Sequence, residues 1–204
     1  MFITFEGGEG SGKSTQARSL FRRLVKEGVP AVLTREPGGT TLGKRLARYL
    51  KWGERSLSPT AELLLFDASR AQLVDEAIRP ALDRGKWVVC DRYADSTIAY
   101  QGYGRGLGLV LVKAANNAAT GGLTPDITFL LDMPAEMGLA RKAGARSDRF
   151  EQEEIAFHRR VREGYLKMAA DEPKRWLVID GTKPKDEIAG IIWEQVSRLL
   201  RRKE

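Results

Sequence analysis

The chain has 204 residues, of which 42% are hydrophobic and 30% are charged, a composition typical of a folded globular protein rather than a disordered one. Its longest stretch without a charged residue has twelve residues (114–125), which predicts that no helix spans a membrane. The single Cys90 excludes an internal disulfide and fits a reducing compartment. With no basic leader before the first apolar run, we expect a cytoplasmic protein with one domain over residues 1–204.

The chain is basic, with 34 Lys and Arg against 27 Asp and Glu and a formal net charge of +7. Such a balance admits a nucleic acid, a membrane surface or a small anionic substrate as partner. The basic residues stand singly at helix ends and beside glycines or in short clusters, without interleaved aromatic residues. This distribution favours a small anion, so we expect no nucleic acid and no membrane as partner, and a nucleic-acid binder is the alternative.

Short apolar runs alternate with segments of helical periodicity along the chain. The runs predict strands at residues 2–6, 31–33, 87–90, 127–131 and 176–179. Helices are predicted between them and at the C-terminus, with Ser58 and Pro59 starting one helix that Pro80 kinks or divides. The glycines at 102, 104, 106 and 108 predict a loop. This alternation predicts an α/β fold of three αβα layers, with a parallel sheet of about five strands and helices on both faces.

The segment Gly7-x4-Gly12-Lys13-Ser14 has the spacing of a phosphate-binding loop and lies between the first predicted strand and the first helix. Glycines let backbone N–H groups converge on phosphate oxygens, and the helix N-terminus adds partial positive charge. The alternative, a chance glycine-rich turn, is disfavoured by the flanking strand and helix. The predicted triphosphate site consists of Gly8, Glu9, Gly10, Ser11, Gly12, Lys13, Ser14 and Thr15.

Asp91 ends an apolar run, where an acidic side chain can hold Mg²⁺ directly or through water, together with the Ser14 hydroxyl. Its alternative role is a helix cap. A switch GTPase would carry Asp-x-x-Gly here and an Asn-Lys-x-Asp motif elsewhere, and the sequence has neither. We therefore predict a metal site at Ser14 and Asp91, and favour a kinase over a nucleotide-binding switch or recruiting module.

Several segments, in the same order, make the chain similar to the bacterial thymidylate kinases, a family of P-loop nucleoside monophosphate kinases. Besides the phosphate loop they are residues 2–7, Arg-Glu-Pro-Gly-Gly at 35–39, residues 65–70, Asp-Arg-Tyr at 91–93, Tyr-Gln-Gly at 100–102 and residues 124–126. The resemblance implies the P-loop kinase fold and a homodimer. It also implies transfer of the ATP γ-phosphoryl group to dTMP with Mg²⁺, giving dTDP and ADP for dTTP synthesis. A kinase for another nucleoside monophosphate or deoxynucleoside is the alternative.

By the same resemblance, Phe66 stacks on the thymine, Arg70 and Gln101 hydrogen-bond its edge, and Thr97 lies on the base side. An aromatic face supplies contact area, while guanidinium and amide groups supply directional hydrogen bonds. From the residues alone, Phe66 is as compatible with the core, Arg70 with a surface pair to Asp67, and Gln101 with an exposed turn.

The resemblance also assigns the sugar and phosphate contacts. Tyr100 crowds the 2′ position, although by itself it could belong to the core, and Glu9 contacts the 3′-hydroxyl. Arg92 bridges the phosphates, and Glu36 is counted with the substrate-binding residues. Because the acceptor phosphate is already mostly dianionic at neutral pH, the reaction needs charge neutralisation by Lys13 and Arg92 more than a general base.

The segment at about 142–150 resembles the family's mobile lid, and a lid arginine is expected to assist the transfer. Arg149 matches best, with Arg146 and Arg141 as further candidates, and a solvated basic loop is the alternative. The catalytic residues expected are thus Lys13, Arg92, Arg149 and Arg146.

One position departs from the resemblance. An arginine that often contacts the dTMP phosphate falls on Ala47. Arg48 and Arg45 are near in sequence, but neighbouring positions on a helix point about 100° apart. The residue that replaces this contact is left open by the sequence.

Overall fold

A computed structural model describes residues 1–53, 57–142, 144 and 147–201. The strands are β1 (Phe2–Glu6), β2 (Ala31–Arg35), β3 (Trp87–Asp91), β4 (Ile127–Asp132) and β5 (Trp176–Asp180). They form a sheet in the order β2-β3-β1-β4-β5, and every neighbouring pair is parallel. The predicted five-stranded parallel sheet is confirmed.

The helices follow the predicted alternation. They are α1 (Lys13–Lys26), α2 (Thr41–Trp52), α3 (Pro59–Leu73), α4 (Arg79–Asp83), α5 (Ala94–Thr97), α6 (Leu109–Thr120), α7 (Ala135–Ala140), α8 (Ile155–Asp171) and α9 (Lys185–Arg201), with π-helical segments at Val74–Ile78 and Ile98–Gly104. Ser58 caps α3 by accepting from the Ala61 amide at 3.3 Å, with Pro59 at the first position. Within the ranges that the structure describes, no helix is both long and apolar enough to cross a membrane.

Helices cover both faces of the sheet because side chains alternate along each strand. On one face, Ile3 and Phe5 are fully buried in a cluster with residues of α1 and α9. On the other, Phe2 packs with Leu73 of α3 and the helical residues after it, and Leu130 packs with residues of α8. The predicted three-layer αβα arrangement is confirmed.

The glycine-rich segment differs from its prediction, because Ile98–Gly104 is π-helical rather than a loop. A β-carbon on Gly102 would approach Leu109 Cδ2 of α6 to 2.7 Å, and one on Gly104 would approach Phe157 Cε2 of α8 to 2.6 Å. These glycines serve close packing between helical segments. Local composition does not distinguish that requirement from a turn, so the loop prediction was wrong up to Gly104.

The parallel sheet determines where the polar motifs meet. The phosphate loop follows β1, Glu36 follows β2, and Asp91 and Arg92 lie at the end of β3. Carboxyl ends of parallel strands lie at the same edge of a sheet, where ligands bind in folds of this kind. The motifs separated in sequence therefore converge on one cleft.

Candidate active site

Two adjoining cavities open at this edge. The larger, of about 510 Å³, is lined by the phosphate loop, the first turn of α1, Asp91 and residues 141–142, and we call it the phosphate cleft. The smaller, of about 70 Å³, is lined by Phe66, Tyr100, Gln101 and Phe150 among others, and we call it the aromatic pocket. The cleft has room for a chain of phosphates, whereas the pocket suits one planar group.

Residues 9–15 of the phosphate loop and the first turn of α1 line the phosphate cleft. Gly10 has a φ of 67°, and a β-carbon there would lie 1.9 Å from the carbonyl oxygen of Gly138, so only glycine fits. Gly8 contributes its carbonyl oxygen, which accepts from Lys13 Nζ at 2.5 Å, and Ser11 Oγ lies 3.2 Å from the same Nζ. Burial and the nearby Arg92 charge lower the pKa of Lys13 to about 8.

Ser14 and Asp91 lie together on the wall of the phosphate cleft, and the Ser14 hydroxyl donates to Asp91 Oδ2. Asp91, the last residue of β3, therefore accepts a hydrogen bond from the first turn of α1 and does not serve as a helix cap. Over the described residues, there is no cluster of three or more His, Cys, Asp or Glu that could hold a metal. A hydroxyl and a carboxylate nevertheless fit Mg²⁺, which keeps several waters and binds through one or two protein groups and substrate phosphates.

Arg92 lies at the junction of the two cavities in a constrained conformation. Its φ of 71° makes it a non-glycine residue in the left-handed region. Its Nη2 donates to Glu9 Oε1 at 2.7 Å and to the Tyr100 hydroxyl at 3.0 Å, and that hydroxyl donates to the same Glu9 oxygen at 2.7 Å. Burial opposes ionisation of Glu9, but Arg92, Lys13 and Tyr100 outweigh it and hold its pKa at about 2. Glu9 is therefore an ionised acceptor held in place by two neighbours.

A second carboxyl group, that of Glu6, binds two of the side chains that accept hydrogen bonds from Arg92. Glu6 is fully buried and accepts from the Tyr93 amide at 2.7 Å, the Ser96 hydroxyl at 2.6 Å and the Tyr165 hydroxyl at 2.8 Å. Ser96 and Tyr165 in turn accept from Arg92 Nη1 at 3.2 and 3.3 Å. Burial raises the pKa of Glu6 to about 7. This network holds the segment after β3 in its strained conformation.

The aromatic pocket combines two rings with a polar edge. Phe66 is half-buried, and its ring centroid lies 5.7 Å from that of Phe150. Gln101 Nε2 donates to the buried Glu62 Oε1 at 2.7 Å. Because a carboxylate only accepts, this bond leaves Gln101 Oε1 as an acceptor for a ligand. Thr97 and Tyr100 also line the pocket.

Arg70 lies behind the pocket rather than on its wall, with its side chain 1% exposed. All five N–H donors have acceptors, namely Glu36 Oε2 (2.9 Å), Asp67 Oδ1, Asn116 Oδ1 (2.6 Å), Thr97 Oγ1 (2.7 Å) and the Tyr93 carbonyl (3.3 Å). The pair with Asp67 is thus buried and not a surface pair. A direct contact with a base would require one of these bonds to be exchanged, and that contact stays a prediction.

Glu36 presents its free oxygen to the site. It lines both cavities, and its Oε1 is buried without a hydrogen-bond partner in the described part of the chain. Burial raises its pKa to about 7, against the lowering effect of Arg70. An unpartnered polar atom on a pocket wall is one that a ligand can satisfy.

Of the arginines predicted in or beside the lid, the best-matching one is not the one that lines a cavity. Arg149 does not line either cavity; its Nη2 donates to the buried Glu62 at 2.8 Å. Arg141 and Lys142 do line the phosphate cleft, and Arg141 Nη1 donates to the Gly181 carbonyl at 3.0 Å. Arg146 lies outside the described residues.

Sequence reasoning missed two residues of the site. Glu62 precedes Phe66 by four residues, a spacing that places both on one face of a helix. An acidic residue among the apolar residues of that helix was the signal that could have identified it. Lys51 lines both cavities and follows Ala47 by four residues. Arg45 and Arg48 are exposed and line neither cavity, as their angular offset on α2 requires.

Comparisons with known proteins agree with this geometry. A model of the thymidylate kinase family matches residues 5–192. The thymidylate kinase of Dehalococcoides mccartyi is 54% identical over 201 residues, covering 98% of this chain and 97% of the relative, and that of Deinococcus radiodurans is 52% identical over 198 residues, covering 97% and 96%. The crystal structure of thymidylate kinase from Ehrlichia chaffeensis has a TM-score of 0.75 and 40% identity, covering 88% of this chain and 91% of that one. The chain belongs to the thymidylate kinase family.

Proposed function

We propose that the protein transfers the γ-phosphoryl group of ATP to dTMP, giving dTDP and ADP for dTTP synthesis. The observation that carries this proposal is that the phosphate cleft and the aromatic pocket meet at Glu9 and Arg92. Both of these residues line both cavities. A triphosphate on the phosphate loop and a base in the pocket bring their phosphates together at this junction.

The polar edge of the aromatic pocket supports thymine as the base. Gln101 Oε1 is an acceptor, because its Nε2 is bound to Glu62. Thymine and uracil carry a donor at N3, whereas cytosine carries an acceptor there, so dCMP would leave two acceptors facing each other. Phe66 supplies the stacking face.

The sugar is oriented by the Glu9 and Tyr100 pair. Ionised Glu9 is a suitable acceptor for the 3′-hydroxyl of the acceptor nucleotide. Tyr100 is 6% exposed and fixed by bonds to Glu9 and Arg92, so it cannot swing away from an added 2′-hydroxyl. This rigidity favours a deoxyribose.

The transfer itself depends on positioning and charge. The dTMP phosphate has a second pKa of about 6 and attacks as a dianion, so no protein base is needed. Arg92 and Lys13 hold the acceptor and donor phosphates in line, and the lid excludes water that would otherwise accept the phosphoryl group. Arg141 is the lid-proximal arginine that lines the cleft, while Arg149 and Arg146 would join it on closure.

We propose Ser14 and Asp91 as the residues that hold Mg²⁺ with ATP. Bound there, the ion neutralises charge on the donor phosphates. The chain's own part is to place a hydroxyl and a carboxylate at the end of β3 beside the first turn of α1.

We propose a homodimer built on α3 and α6, which pack together. These helices carry exposed apolar side chains, Leu64 at 56%, Val110 at 86% and Leu111 at 49%, which suit burial against a second copy. The double substitution Leu64→Lys and Val110→Lys should give a monomer by light scattering, with an unchanged circular dichroism spectrum. A wild-type monomer would refute the proposal.

We also propose that the enzyme works in the cytoplasm, which suits its single buried thiol.

ADP release with ATP, Mg²⁺ and each of dTMP, dUMP, dCMP, dGMP and AMP tests the activity. We expect strong turnover with dTMP, weaker turnover with dUMP and little with the others. The Lys13→Ala variant should lose most activity because it lacks the cation of the phosphate loop. Stronger turnover with another acceptor than with dTMP would refute the assignment of the aromatic pocket, and ATP binding without any turnover would refute kinase activity.

A further inference from the structure

A lysine occupies the junction where the acceptor phosphate must lie. Lys51 is one of the residues that line both the phosphate cleft and the aromatic pocket; the shared residues are Glu9, Glu36, Pro37, Lys51, Arg92 and Asp148. A nucleotide with its base in the pocket and its phosphate directed at the donor has that phosphate between these residues. Lys51 is therefore placed beside the charge that must be neutralised.

The charge balance of this junction calls for a cation besides Arg92. Three of the shared residues are acids and two are basic. Arg92 is already engaged with Glu9 through the 2.7 Å bond. The three acids are paired with Arg70, Arg92 and Lys51, so an incoming dianion adds charge that has no spare cation, and it binds only where cations can also donate hydrogen bonds to it.

On helix α2, Lys51 lines the phosphate cleft, whereas Arg45 and Arg48 do not. Ala47 and Lys51 are one turn apart and share the face that lines the phosphate cleft. Ala47 has no polar atom to offer, whereas the lysine has a long stem that reaches into the same space. Arg48 and Arg45 are exposed outside both linings.

The present partner of Lys51 leaves it free to bind a ligand. Its Nζ lies 3.1 Å from Asp148 Oδ2, and its side chain is 41% exposed. An ammonium group has three donors, so one carboxylate does not saturate it. Asp148 also accepts from the amides of Phe150 and Glu151 at 3.0 and 3.1 Å, so it is held in place independently of the lysine.

We propose that Lys51 binds the phosphate of dTMP and supplies the cationic contact that α2 lacks at position 47. The proposal rests on the proposed function. Because Nζ can hold Asp148 and a phosphate oxygen together, substrate binding also links the end of α2 to the described C-terminal part of the lid segment. The backbone already joins these parts, through the bond from the Arg149 amide to the Lys51 carbonyl at 3.1 Å.

The test compares calorimetric binding of dTMP with binding of thymidine, which lacks the phosphate, and follows turnover in parallel. Lys51→Gln should weaken dTMP binding about tenfold or more, the range of a lost charged hydrogen bond, and leave thymidine and ATP binding unchanged. Lys51→Arg should restore most of the dTMP affinity. The control Lys26→Gln, an exposed lysine at the end of α1, should bind and turn over like the wild type.

Two further variants separate a ligand role from a structural one. Asp148→Asn breaks the ion pair but keeps an oxygen acceptor for the two amides, so we expect dTMP binding to be kept or strengthened. An equal loss with Asp148→Asn and Lys51→Gln would overturn the proposal in favour of a structural ion pair. So would an equal loss of thymidine and dTMP binding, or a loss with Arg48→Gln in place of Lys51→Gln. Wild-type protein that binds dTMP tightly without phosphorylating it would refute the proposed function while leaving the Lys51 contact measurable.

Discussion

Glu62 joins Gln101, the proposed base contact, to the proposed lid, and its replacement by glutamine is the most informative single change. The side chain is 1% exposed and accepts from Gln101 Nε2 at 2.7 Å, Arg105 Nη2 at 3.2 Å and Arg149 Nη2 at 2.8 Å. In Glu62→Gln, an NH₂ group replaces one oxygen and meets N–H donors of the two guanidinium groups. The negative charge that compensates them is lost.

The size of the effect follows from burial. Breaking a buried ion pair costs about 3–5 kcal/mol, and the lower end applies here because the Arg105 and Arg149 side chains are 18% and 20% exposed and can reach water. A loss of about 3 kcal/mol lowers the melting temperature of a chain of this size by about 6–12 °C. The control is Glu194→Gln, which breaks an exposed pair with Arg198 and should melt like the wild type.

The same substitution should alter base selection. With a carboxylate at position 62, the Gln101 amide has one orientation; with an amide there, both orientations find a partner. The ratio of kcat/KM for dTMP to that for dCMP should therefore fall in Glu62→Gln. An unchanged melting temperature together with an unchanged ratio would refute the reasoning that Glu62 stabilises the lid segment and orients Gln101.

Two further predictions concern the buried acid and the stacking ring. The folded state raises the pKa of Glu6 from 4.5 to about 7, so it binds more protons than the unfolded state between these values, and stability declines as the pH rises through this window by about 3 kcal/mol. Glu6→Gln cannot ionise and should remove its part of the decline in the free energy of unfolding, measured by urea titration across the window. The part due to Glu36, whose pKa is also raised to about 7, should remain, and an undiminished slope would refute the contribution of Glu6. Phe66→Ala should raise the KM for dTMP by the loss of about 1–3 kcal/mol of stacking and leave the KM for ATP unchanged, and a rise for ATP alone would contradict the placement of the base.

The strands, and the loop and helix that follow β1, could be predicted because their signals are local. The spacing from Gly7 to Ser14 and the apolar runs that form β1 and β3 each lie within a few residues. Asp91 and Ser14 meet in the structure because parallel strands end at one edge of the sheet. These predictions needed no knowledge of which helix packs against which.

The sequence by itself thus determined the α/β alternation, the phosphate loop and the residues that resemble a dTMP site. Only the tertiary structure decided what each long side chain touches. Arg70 and Arg149 point to buried acids rather than into the cavities, and Lys51 rather than Arg48 reaches the junction. The physical reason is that a long charged side chain has many rotamers, and the one it adopts depends on desolvation and on partners far away in sequence.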